Sequence, residues 1–167
     1  MLDALTALVQ PWADVFADNS ALATAVTASH VLAIFAAGGF AISADRRLLR
    51  TKVTSPLALR EAVAELGTTH RVVITALAFA VTSGLLLFTS DIGTFGSSRV
   101  FWIKMTMVVL LLSNGIRMRR AEGRLLRATD ADSIVIESAW RSLRRAAGFS
   151  LVAWFVIVLL GVILGSG

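Results

Sequence analysis

The sequence predicts an all-α membrane protein: a four-transmembrane-helix bundle with an N-terminal interfacial amphipathic segment and a short cytoplasmic surface helix. Three observations predict it. Hydrophobic residues fill 56% of the chain and mean hydropathy is +0.77, more apolar side chain than water solvates on a domain of this size. Four stretches are continuously apolar and nearly free of charge, each close to the roughly 20 residues an α-helix needs to cross a bilayer. Lys and Arg gather in two of the connections between them. Because the apolar runs do not alternate, a β-barrel is excluded.

The spans fall at about 21–43, 71–90, 99–118 and 146–166, and the 167 residues leave room for one membrane domain, 1–167, and no second one. Ahead of them, Met1–Ser20 carries Asp3, Asp14 and Asp18 and no Lys or Arg. A cleavable signal needs a basic start, so none is expected. Leu2, Leu5, Leu8, Val9, Trp12, Val15 and Phe16 make the segment amphipathic, with Pro11 interrupting it, and such a segment lies on the membrane surface.

Span one has small residues four apart at Ala25, Ser29, Ala33, Ala37 and Ala41, with Gly38 and Gly39 beside them. In lipid, small residues let helices approach closely, so this face is expected to meet another helix. Between spans one and two, Ser55-Pro56 reads as N-cap and N1 of a short helix ending at Gly67, its face Leu59, Val63 and Leu66 lying along the inner surface. Span two offers Thr75, Thr82 and Thr89 seven apart, next to Ser83 and Gly84. Span three is expected to run on as a helix through the charged stretch Arg117–Arg127. Asp130 or Asp132 would then cap a helix through Trp140 into span four. That last span is almost uniformly Leu, Val, Ile, Phe and Trp, and is expected to face lipid or a partner subunit most.

Orientation follows from charge. Arg46, Arg47, Arg50, Lys52, Arg60 and Arg71 lie between spans one and two; Arg117 to Arg127 and Arg141, Arg144 and Arg145 lie between spans three and four. The positive-inside rule puts both groups in the cytoplasm and both termini on the periplasmic or extracellular side of the plasma (inner) membrane. Arg141, Arg144 and Arg145 then sit at lipid head groups. This placement accounts for the net charge of +5. No base-reading or stacking motif accompanies the arginines, so nucleic acid is not an expected partner; the bilayer is.

Chemistry has few carriers. Cysteine is absent, excluding disulfides, thiol catalysis and Cys-ligated metals. No Gly-rich phosphate loop, nucleophile elbow or acidic metal cluster is present. Ionisable groups inside the hydrocarbon are costly and usually functional, and His30 and Lys104 are the two here. From the outer surface, His30 lies about 13 Å deep, Ser83 about 10 Å and Lys104 about 8 Å, so a base, a hydroxyl and a cation share one level of the outer half, with Thr27 a turn from His30. His30 has three readings open: a structural hydrogen bond, a haem iron or metal ligand, or a proton carrier. Lys104 either snorkels to the head groups or faces the same site. His70 starts span two at the inner edge and reads as interfacial, and one iron cannot bridge it and His30. Asn114 is expected to bond another helix, and Asp45 and Arg47 to pair with each other or hold the inner loop.

The strings Ser29-His30-Val31-Leu32, Gly38-Gly39 and Asp45-Arg46-Arg47-Leu48-Leu49 resemble the first span of a group of uncharacterised bacterial four-span membrane proteins. Thr82-Ser83-Gly84-Leu85-Leu86-Leu87-Phe88 is similar to the group's second-span motif, and Phe101-Trp102-Ile103-Lys104-Met105 to its Phe-x-x-Lys motif. The resemblance covers about residues 22–118. The group is in turn distantly similar to CopD-like copper-resistance domains and to the four-span haem-b protoporphyrinogen oxidase family, whose working His and Lys would fall on His30 and Lys104. A haem b cofactor, if present, would by this resemblance fall on His30 and Lys104, and the shared depth adds Ser83 to them.

Three roles follow in order. The scarcity of polar machinery and the apolar fourth span point first to a non-catalytic accessory or scaffold subunit of a membrane complex or homo-oligomer. A haem b redox or porphyrin-handling protein using His30 and Lys104 comes second. A small transporter or copper conduit comes last, since one His and one Lys supply too few metal ligands.

Overall fold

The computed structural model describes residues 2–52, 56–127 and 133–166, with side chains for 6–52, 61–127 and 134–166. The described residues form six helices: α1 (Leu2–Asp18), α2 (Ser20–Arg50), α3 (Pro56–Ser90), α4 (Ile92–Ser97), α5 (Arg99–Arg127) and α6 (Ser133–Ser166). Four of them, α2, α3, α5 and α6, are long and apolar enough to cross a membrane, as the hydropathy predicts. Local chemistry sets the breaks. Asn19 caps α2, its side chain accepting from Leu22 N–H at 3.0 Å, and Asp91 caps α4 through Thr94 N–H at 3.0 Å. The Ser98 hydroxyl accepts from Phe101 N–H at 3.3 Å and opens α5. Each cap satisfies a backbone donor that the first turn leaves free.

Several expectations change here. The short helix predicted to stop at Gly67 does not stop: α3 runs from Pro56 to Ser90 without a break. A mid-helix glycine costs only about 1 kcal/mol, and the buried side chains beside it outweigh that. Val63 and Leu66 are packed with Leu48, Met118, Leu125 and Leu143, so the face expected to rest on the bilayer surface is bundle core. Ser55, Asp130 and Asp132, expected as caps, and the Leu59 side chain lie outside the described residues. With 35 residues, α3 is about 52 Å long and outreaches a hydrocarbon core of roughly 30 Å.

Pro11 lies inside α1 rather than ending it. The helix is tied down by the next residue, Trp12, whose indole N–H donates to the Leu86 carbonyl of α3 at 3.1 Å. Between α3 and α5 lies the short helix α4.

Across the bundle the order is α3, α2, α6, α5. Helices α3 and α5 meet only sparingly, through the stacked rings of Phe88 and Phe101, 5.0 Å between centroids, and through His70 against Glu122. Span four, expected to be the freest, is the most buried of the four, because α6 packs against both α5 and α2. Leu143, Ala147, Ala153, Trp154 and Ile157 on it are core residues. Hydropathy does not separate the two cases, since lipid and helix interior are equally apolar.

The small-residue stripe of span one is an interface from Ala33 inward: Ala33, Ala37 and Gly38 are buried, whereas Ala25 and Ser29 are exposed. A Cβ on Gly38 would come within 3.1 Å of the Trp154 ring, so the indole packs against bare backbone. On span two, Thr75 and Thr82 face outward and it is Ser83 and Gly84 that turn in.

Candidate functional site

His30 on α2 projects toward α3 in the half of the bundle remote from the arginines. Its Nδ1 lies 2.9 Å from the Ala80 carbonyl and 3.1 Å from Ser83 Oγ. A carbonyl only accepts, so Nδ1 is the nitrogen that carries hydrogen. The Ser83 hydroxyl donates to the Phe79 carbonyl at 2.6 Å, leaving its oxygen to face the ring as a second acceptor. In the neutral imidazole the lone pair therefore sits on Nε2. Gly84 makes this geometry feasible, since a Cβ there would lie 2.9 Å from His30 Cε1.

Lys104 comes from α5 by way of α6. Its Nζ would be 3.5 Å from a Cβ at Gly161, so the ammonium lies against α6 at that glycine. The side chain is only partly exposed, and it is near enough to His30 for the two charges to interact. Of the residues grouped by depth, His30 and Ser83 are thus in contact, Gly84 lies against the ring, and Lys104 is close enough to act on it by charge. Thr27 faces outward.

The other singled-out residues belong to the arginine-rich end. Asn114 Nδ2 donates to the Ala146 carbonyl at 2.8 Å, joining α5 to α6 as expected of a buried amide. Asp45 and Arg47 do not pair with each other. Arg47 forms a salt bridge with Glu65 of α3, because residues two apart on a helix point in different directions, and Asp45 turns inward. Arg141 lies 3.8 Å from Glu137 one turn back, and Arg144 donates to the Thr51 carbonyl at 3.4 Å. Arg145 is exposed. His70, read as interfacial, instead puts Nδ1 3.0 Å from Glu122 Oε1.

Glu122 is the buried residue that sequence reasoning missed. Sitting between Arg120 and Arg124 it looks like one more solvated charge, yet it continues the inward row Leu111, Asn114, Met118, Ala121 and Leu125. That three-and-four spacing was the available signal.

Between the two polar levels the bundle is apolar. Ala37, Leu111, Ala153, Trp154 and Ile157 form a buried apolar layer with Met107 and Val108 against it. Compared with protein-family models, with curated proteins and with solved structures, the chain matches none of them.

Proposed function

We propose that this integral membrane protein binds a haem-class tetrapyrrole at His30 and Lys104 and serves in redox or porphyrin handling. One observation carries the reading: His30 Nδ1 bonds an acceptor-only carbonyl, which orients the ring and frees Nε2 as a ligand. Metal-ligating histidines commonly have this support, the second nitrogen donating to a carbonyl or carboxylate. The donor set fits haem further, with one imidazole for iron and one ammonium for a propionate, at one level of an apolar bundle. Haem b would supply one-electron chemistry there. The protein's own part is to hold the imidazole tautomer through Ala80 and Ser83, offer a cation through Lys104, and keep water out with the surrounding apolar side chains.

In this reading the arginine-rich end faces the cytoplasm and the His30 level lies toward the opposite surface of a bacterial inner membrane, as the distribution of Lys and Arg implies. The apolar mid-layer speaks against a through-going ion or copper path, which would line a cavity with polar groups.

Purified protein titrated with haemin tests the proposal. A Soret band that saturates at one haem per chain, and disappears in His30→Ala, is the expected result. An unchanged spectrum in the variant, or no band in the wild type, overturns it. The second reading, a scaffold subunit, no longer has a free span four as its motive, but broad apolar faces remain on all four spans, Phe35, Phe79, Ile116 and Phe155 among them. Native mass spectrometry of a haem-free preparation that keeps a stoichiometric partner would favour it instead.

A further inference from the structure

The arginine-rich end holds a second polar cluster, built from three spans and faced by the fourth, which the haem reading does not use. Asp45 on α2 is 3% exposed and Glu122 on α5 is 8% exposed. His70 enters from α3. Its Nδ1 and Glu122 Oε1 are 3.0 Å apart, but out of line, so neither atom completes a hydrogen bond, and Asp45 Oδ2 has no partner either. Three buried polar atoms thus stand unsatisfied at one level, where native interiors leave very few.

The groups that face Asp45 are few. Ser150 on α6 brings its hydroxyl within reach of the carboxylate, and His70 is near enough for its charge to act there. Among the described side chains, no Lys or Arg is directed at it. On α2, Arg47 is taken by Glu65 and Arg46 and Arg50 are exposed. Arg71 on α3, Arg117, Arg119, Arg120 and Arg124 on α5, and Arg141 and Arg145 on α6 are exposed too, while Arg144 reaches the Thr51 carbonyl. Leu48, Leu66, Met118 and Ala147 fill the same end with apolar surface.

Charge balance then decides what the cluster takes. Two carboxylates with a neutral imidazole would place two negative charges away from water with nothing opposite. Ions so placed need a partner charge and satisfied lone pairs. A metal ion does not fit, because no three His, Cys, Asp or Glu side chains among the described residues are spaced to ligate one.

We propose that Asp45, His70 and Glu122 form a proton-binding site at the arginine-rich end, loaded from the adjacent aqueous phase. One proton shared by His70 and Glu122 turns their contact into a charge-assisted hydrogen bond after a small ring rotation. A second, on Asp45 Oδ2, removes the remaining charge. Both come from water and return to it, and no other bond changes. The apolar layer around Trp154 separates this site from His30, so exchange is with the nearer surface alone.

Infrared spectroscopy of the protein in lipid nanodiscs tests this, with no haem required. The wild type should show a protonated-carboxyl stretch at pH 5 that shifts in D2O and fades reversibly as the pH is raised through about 6. Asp45→Asn, nearly isosteric, should abolish most of that band. Absence of the band in the wild type overturns the proposal, and so does its full retention in both Asp45→Asn and Glu122→Gln. Loss of the band on adding sodium, magnesium or zinc chloride at constant pH would show a metal site and overturn it equally. The wild-type pH and D2O series needs no variant, so a variant that fails to fold leaves the proposal open to refutation.

Discussion

The imidazole of His30 lies on the bare backbone of Gly84, so close that a methyl group there would sit 2.9 Å from its Cε1. The contact locks two spans together and sets the direction of the ring. Gly84→Ala should therefore push the ring off Ala80 and cost about 1–3 kcal/mol, as overpacking of a filled site does. Gly39→Ala is the matched control, since nothing lies within 4 Å of a Cβ there, and it should be neutral or slightly stabilising. Thermal denaturation in mild detergent reads both. Equal losses would show that the glycine, and not the imidazole, sets the effect.

Neighbouring positions on α6 should behave very differently. Trp154 is 3% exposed and Phe155 is 61% exposed. Trp154→Ala should destabilise by about 3–5 kcal/mol through the cavity it leaves. Phe155→Ala faces outward and should stay within about 0.5 kcal/mol. Denaturant titration of the two variants checks this, and similar losses would mean that Phe155 is covered by a partner.

Asn114→Ala removes the bond between α5 and α6 and leaves the Ala146 carbonyl unpaired by that amide. The expected loss is about 0.6–2 kcal/mol, the range for hydrogen bonds between membrane helices. Unfolding in a detergent mixture measures it, and a neutral result would place the amide's bond elsewhere.

Arg47 and Glu65 join α2 to α3, but both are more than half exposed. Their double-mutant coupling should be under about 1 kcal/mol and vanish at high salt. A larger, salt-resistant coupling would mean that the pair is buried by something absent from the isolated chain.

Orientation is open to a direct reading, because the chain has no cysteine to remove first. Ser97→Cys on α4 and Arg119→Cys on α5, both exposed, should react with a membrane-impermeant thiol reagent from opposite sides. Reaction of Arg119→Cys in intact cells would reverse the assignment of the arginine-rich end to the cytoplasm.

Much of this was legible in the residues alone. The level shared by His30, Ser83 and Lys104 follows from counting along helices, and the Ala33–Ala37–Gly38 contact from side-chain size. What was not legible is which partner each face meets. Gly84 reads as a packing glycine, but that it faces an imidazole depends on the register of α2 against α3. Glu122 hides in a basic run because charge composition says nothing about direction. The helix through Gly67 continues because Val63 and Leu66 find a core there, an outcome that local propensity cannot see.

The chain by itself determined a four-span helical membrane protein and the end at which its arginines gather, since apolar length and charge position are properties of each segment alone. Only the tertiary structure decided that span four is central, that His30 is held through Nδ1, and that Asp45, His70 and Glu122 share one level. Lipid and protein interior are alike in polarity, so hydropathy marks a span without saying which side of it is inside; steric fit between particular side chains makes that choice.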